Sequence, residues 1–239
     1  LLGREPLWQG VINSHPATLF TTSNLALLLQ ESQGPVGLEG ACFRVDDLGR
    51  LQRRLERVGI DTTHASPPIP MTAGAEDSSG IQVVNPSQCR GLPLSFTAAG
   101  PAADPQGMQD TAAASGLDHI VIATGDAPGT AFMLAAQLGL EMGLDINRPQ
   151  RDARLMFFRC GDLIVEVFQQ LSNESAPMQD SFYGLSWRVA DADAARTRLS
   201  DHGFDVSDVR EGRRPGSRVL TVRNRTADVA TLLIEHTRS

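Results

Sequence analysis

Long apolar runs are missing from this chain. Nothing in its 239 residues approaches the roughly 20 consecutive apolar residues that span a bilayer, so no membrane-spanning helix is expected. A charged-then-apolar leader is missing too, and no signal peptide is expected, although the chain opens on Leu1 and can begin inside a longer polypeptide. Basic runs are scarce. The net charge of −7, with 21 basic against 28 acidic residues, excludes general nucleic-acid binding, which needs clustered cations. Cysteine is rare, and Cys42, Cys89 and Cys160 are odd in number and far apart. They make neither a disulfide framework nor a zinc pattern, and the reducing cytoplasm is the expected setting. What the chain does have is 41% hydrophobic and 21% charged residues, the composition of a packed core, over a length that holds one large or two ordinary domains.

The most informative stretch is Gly116-Leu117-Asp118-His119-Ile120-Val121-Ile122-Ala123, which reads as a strand. Alternation puts Ile120 and Ile122 on one face and His119, Val121 and Ala123 on the other, so an imidazole stands on an otherwise apolar surface. Asp126 and Pro128 then start a helix that ends at Gly139. Before this stretch, residues 17–22 and 25–29 read as a hairpin, 41–45 as a strand, and 47–58 as an amphipathic helix stopped by Gly59. Residues 65–80 are expected to be a loop, and 81–84 and 92–97 a strand pair. Residues 98–116 offer little to bury. They suggest a linker between an N-terminal domain, 1–98, and a C-terminal domain, 117–239. Beyond the linker, strands are expected at 154–160, 163–168, 184–190, 219–223 and 231–236, with a helix from Ala192 to His202.

Residues 43–61 and 187–205 match at a constant shift of 144, through Arg44/Arg188, Asp47/Asp191, Leu55/Leu199, Gly59/Gly203 and Asp61/Asp205. A fainter repeat sets Asp126 against Asp191 and Leu163–Glu166 against Leu232–Glu235. Each unit is strand, helix, then three strands, the first of the three being the least clear by pattern. Repeated βαβββ units with these motifs resemble the vicinal oxygen chelate superfamily, which includes glyoxalase I, methylmalonyl-CoA epimerase, extradiol dioxygenases and bleomycin-resistance proteins. The resemblance implies an α+β fold of tandem units forming cupped mixed sheets. By it the first unit lacks its opening strand and helix, which need about 30 more residues.

In that superfamily two units curl around one divalent metal held by the first and last strands of each. Carried over, the positions are His119, Glu166, Gly184 and Glu235, of which three can bind a metal and Gly184 cannot. Imidazole with carboxylates suits Zn, Fe, Ni, Co or Mn. The resemblance thus implies a metal-assisted lyase, isomerase or dioxygenase acting on a small oxygenated molecule, with Glu235 or Glu166 as ligand or base. The other reading is a metal-free protein that binds or sequesters a small molecule, as bleomycin-resistance proteins do, or a hydrogen-bonded His119–carboxylate pair. Ser186, Arg188 and Phe168 are the expected substrate contacts, with a rim salt bridge the alternative for Arg188. Trp187, of opposite parity, is expected beneath a helix. His236 points away from the face of Glu235 and is a poor ligand candidate, and Arg213–Arg218 reads as a basic turn. Leu28, Gly40 and Ser95 or Thr97, the corresponding positions of the first half, make no ligand set. The expected assembly is a monomer or homodimer.

Overall fold

The computed structural model describes residues 1–31, 33–66, 80–98, 110–172 and 179–236. The first half runs β1 (Trp8–Ile12), β2 (His15–Thr21), β3 (Ala26–Gln30), β4 (Ala41–Arg44), α1 (Leu48–Arg57), β5 (Thr62–Ala65), β6 (Ile81–Val84) and β7 (Leu94–Thr97). The second half runs β8 (Gly116–Ala123), α2 (Ala127–Phe132, continued by a π-helical turn, Met133–Leu138), β9 (Glu141–Arg148), β10 (Ala153–Cys160), β11 (Leu163–Gln170) and β12 (Ser181–Arg188). It closes with α3 (Ala192–Asp201), β13 (Arg210–Glu211), β14 (Ser217–Val222) and β15 (Ala230–His236). This is an α+β fold. No helix among the described residues is long and apolar enough to cross a membrane.

Local chemistry accounts for the helices. Asp47 and Asp191 accept from the N–H groups of Arg50 and Ala194, at 2.8 and 2.9 Å, and so satisfy donors that a helix start leaves unpaired. Gly59 and Gly203 then end these helices at φ +75° and +77°, a left-handed conformation that only glycine adopts without strain. Leu55 and Leu199 are fully buried on the inner faces. Each removes a side chain from water, a gain of roughly 1.5–3 kcal/mol. The same shift of 144 residues separates both ends of these helices (48 to 192, 57 to 201).

Contacts divide the chain into two compact units that interleave in sequence. One comprises Leu1–Leu38, Ala102–Ile120 and Gly184–Ser239; the other comprises Glu39–Pro101 and Val121–Tyr183. The first unit holds the antiparallel sheet β1-β2-β3 and the strand order β13-β14-β15-β12-β8, with β12 parallel to β15 and α3 against β14 and β15. Its core includes Leu117, Trp187, Leu199, Leu220 and Leu233. The second holds the sheet β4-β7-β6-β5 and the order β8-β11-β10-β9, entered through residues 121–123 of β8. Its core includes Leu55, Leu92, Met133, Leu155 and Phe158.

Most expected elements lie within two or three residues of the observed ones. Four strands were not anticipated at their places: β1, which extends the hairpin, β5, which runs up to the start of the stretch read as loop from residue 65, and β9 and β13, the obscure strands of their units. The rest of the loop read at 65–80, from 67 to 79, and most of the linker read at 98–116, from 99 to 109, lie outside the described residues.

Candidate functional site

In the first unit, polar chemistry gathers on β8, β12 and β15. Along the parallel β12–β15 pair, Ser186 stands opposite Leu232, Trp187 opposite Leu233 and Arg188 opposite Ile234. Strand alternation then puts Ser186, Arg188, Ile234 and His236 on one face, and Trp187, Leu233 and Glu235 on the other. Trp187 and Leu233 are each 1% exposed, as expected for residues beneath a helix.

His119 is held at both ring nitrogens. Nδ1 lies 2.9 Å from Asp118 Oδ2, and Nε2 lies 2.7 Å from Ser186 Oγ. The other Asp118 oxygen, Oδ1, is 2.7 Å from His236 Nε2 and 3.3 Å from Arg188 Nε. Burial alone raises the affinity of Asp118 for a proton. Hydrogen bonds from His119 and His236, and the charge on those rings, outweigh it and hold the carboxyl well below the ordinary carboxylate range. An ionised carboxylate only accepts, so both imidazoles donate to it. With one proton on the ring of His119, that proton sits on Nδ1, and Nε2 accepts from the Ser186 hydroxyl. The arrangement is a hydroxyl–imidazole–carboxylate relay, the order in which a carboxylate fixes a ring so that its second nitrogen can take a proton.

Glu235 is engaged elsewhere. Its Oε2 accepts from the Ala192 N–H at 2.8 Å, at the first turn of α3, and from Arg218 at 3.2 Å. A carboxylate there complements the positive end of the helix. Glu235→Gln is therefore expected to cost roughly 0.5–1 kcal/mol in urea unfolding and to leave ligand binding unchanged. A matching loss of binding would return Glu235 to the site.

Glu166 belongs to the second unit. It is 9% exposed and pairs in register with Phe157, and alternation places Ile164 and Phe168 on its face. The Phe168 ring stacks on Tyr183, with centroids 6.1 Å apart and planes 28° apart. Among the described residues no group of three or more His, Cys, Asp or Glu side chains stands where it could hold a metal ion. Of the residues expected at the site, the structure thus joins His119 to Ser186 directly and to Arg188 through Asp118, and it seats Glu235 on α3.

The sequence pattern of the Glyoxalase/Bleomycin resistance protein/Dioxygenase superfamily matches residues 118–221. Residues 118–221 belong to that superfamily. No curated protein matches the chain. Among solved structures, methylmalonyl-CoA epimerase from Mycobacterium tuberculosis is similar at 20% identity and a TM-score of 0.45, over 52% of this chain and 90% of the epimerase. A hypothetical protein from Bacillus halodurans C-125 gives the same identity and score over 52% of this chain and 95% of its own. A variant of the Streptomyces coelicolor epimerase in complex with 2-nitronate-propionyl-CoA is 19% identical, with a TM-score of 0.45, over 53% and 100% of the two chains. The superfamily match takes in Asp118, His119, Glu166, Ser186 and Arg188, and ends before Glu235 and His236.

Sequence reasoning missed Asp118 and His236 as site residues. A signal existed for each. Asp118 adjoins His119, and His236 shares its strand parity with Ile234, the residue that faces Arg188.

Proposed function

We propose that this superfamily member works on a small oxygenated molecule by acid–base chemistry at the relay of Asp118, His119 and Ser186. One observation carries the reading: the His119 ring is fixed from both sides, at 2.9 Å and 2.7 Å, so its proton-accepting nitrogen has a single direction. Such a ring moves a proton to or from the Ser186 oxygen, or a substrate oxygen in its place, with Asp118 stabilising the imidazolium that forms. Arg188, on the same strand face as Ser186, is proposed to meet the acidic end of the ligand. Glu166 as a second base and Phe168 as an apolar contact are proposed on the strength of a buried carboxylate on an apolar strand face. In sequence, we place an N-terminal domain at 1–98, a linker at 99–116 and the ligand-binding C-terminal domain at 117–239, each domain derived from repeated βαβββ units. Three free cysteines support a reducing, cytoplasmic setting. A monomer or homodimer is proposed.

The donors do not fit a resident metal as they stand. Both nitrogens of His119 face hydrogen-bond partners, and the Glu235 oxygen is taken by a backbone N–H and a guanidinium. The test is a thermal-shift screen of small hydroxy- and keto-acids on the purified chain, with elemental analysis before and after a chelator. A hit that raises Tm, persists after chelation and is lost in His119→Ala supports the reading. Stoichiometric Zn, Fe, Ni, Co or Mn whose removal abolishes binding would overturn it in favour of the metal-assisted lyase, isomerase or dioxygenase, with His119, Glu166 and Glu235 as ligands. A hit with no turnover of the bound compound leaves the sequestering protein.

A further inference from the structure

Asp118 has more donors than a relay needs, and two of them converge on one atom. Its Oδ2 serves His119. Its Oδ1 receives His236 Nε2 of β15 at 2.7 Å and Arg188 Nε of β12 at 3.3 Å. The two contacts differ in strength. A hydrogen bond from a charged nitrogen to a carboxylate is ordinarily about 2.7–2.9 Å long, so the imidazole makes a full bond and the guanidinium a stretched one.

His236 is fixed by the strands around it. It stands opposite Ser217 in the β14–β15 register. Ser217 is where the β13–β14 hairpin closes: its carbonyl accepts from the Gly212 N–H at 2.8 Å, and its hydroxyl donates to the Arg214 carbonyl at 2.6 Å. Gly212 leaves room for that hydroxyl, with which a Cβ would collide. His236 also lies beyond residue 221, where the superfamily match ends.

Arg188 is placed to move. Its side chain is 28% exposed, and it shares a strand face with Ser186, two residues and about 7 Å along the strand. A guanidinium grips a carboxylate best through two parallel N–H groups, and Nε, now on Asp118, belongs to one such fork. Giving Nε up to a ligand costs little while Asp118 keeps another donor on that oxygen. Without one, an ionised carboxyl would be left short of partners in a partly dry site, which is strongly unfavourable.

We propose that Arg188 exchanges Asp118 for the carboxylate of a small hydroxy acid, and that His236 is the positioning residue that permits the exchange by keeping Asp118 Oδ1 satisfied. The exchange rests on the acid–base reading of the relay and adds to it a ligand class and a division of labour. His119 handles the proton, Arg188 binds the acid, and His236 holds the carboxylate that orients His119 while Arg188 is away.

One part of the test needs no ligand. In proton–nitrogen NMR of the full chain at about pH 8, above the ordinary imidazole range, the His119 ring is expected as a single tautomer protonated at Nδ1. Its signals are assigned by their loss in His119→Gln. That tautomer should survive Arg188→Met, because His236 still holds Asp118, and should give way to a mixture when His236→Leu is added. Mixing in Arg188→Met alone would overturn the proposal, since Arg188 could not then leave, and so would an unmixed double variant. The other part titrates lactate and its uncharged amide, lactamide. His236→Leu should weaken lactate at least about tenfold and leave lactamide unchanged, whereas His236→Gln, which keeps an N–H donor, should hold lactate within about threefold of wild type. Equal losses for the two probes, or no recovery with glutamine, would overturn the role of His236. Wild type that ignores lactate but shows the single tautomer would overturn the ligand class and leave the acid–base reading intact. A ring already mixed in wild type would overturn that reading itself.

Discussion

Asp118→Ala is expected to destabilise the protein by about 2–3 kcal/mol at pH 7, the cost of leaving His119, His236 and Arg188 without their shared acceptor in a partly dry site. The side chain is 17% exposed, which limits screening by water without removing it. Urea unfolding with an unchanged m-value measures the effect. A loss below about 0.5 kcal/mol, the size typical of a surface change, would mean that the cluster is held by its strands and not by the carboxylate.

The pH dependence has a definite sign. The folded-state pKa of Asp118 lies below its unfolded value, so its contribution is complete above that unfolded value, near about 4 for an aspartate, and is lost as pH falls towards the folded one. Wild type should lose stability steeply below about pH 4, whereas Asp118→Asn should follow a flatter course, and the two curves should converge in acid. The same variant tests the relay. An amide can donate to Nδ1 and stabilise the wrong tautomer, so any turnover that depends on His119 should drop by about 10²–10⁴-fold. A variant that loses stability but keeps its turnover would assign Asp118 to the fold alone.

The architecture was legible because it rests on signals that survive in one dimension. Asp47 and Asp191, with Gly59 and Gly203, mark helix ends through their backbone chemistry, and the observed ends fall at Leu48 and Arg57, and at Ala192 and Asp201. β9 gave less signal. Six of its eight residues are exposed, and a register shift opposite Phe157 and Phe158 interrupts its pairing. With so little of it buried, no face demanded an apolar stripe. The site was legible in part. His119, Ser186 and Arg188 follow from alternation within single strands, but choosing between Glu235 and His236 needs the pairing of β15 with β12. That register places Ile234 beside Arg188 and so carries His236 to the face of Ser186. Period two makes a shift of one residue an exchange of faces, and no local pattern in Leu-Leu-Ile-Glu-His fixes which face looks towards α3.

Arg90→Met is expected to destabilise the second unit by about 3–5 kcal/mol. The reason lies in Asp180 more than in the arginine. Its carboxyl is fully buried, and one of its oxygens, Oδ1, has no hydrogen-bond partner among the described residues. Removing Arg90 leaves Thr130 as the side-chain donor to Asp180 Oδ2 among the described residues, so a desolvated carboxyl loses its charged partner and keeps a hydroxyl. The cost should fall when the acid goes too: Arg90→Met with Asp180→Leu should be more stable than Arg90→Met alone, with a coupling of at least about 1 kcal/mol in the double-mutant cycle. Arg223 and Asp205 provide the control. They are also paired, at 2.8 Å, but are 52% and 56% exposed, and breaking that pair should cost no more than about 0.5 kcal/mol. If the two pairs respond alike, burial is not what makes the Arg90 contact strong.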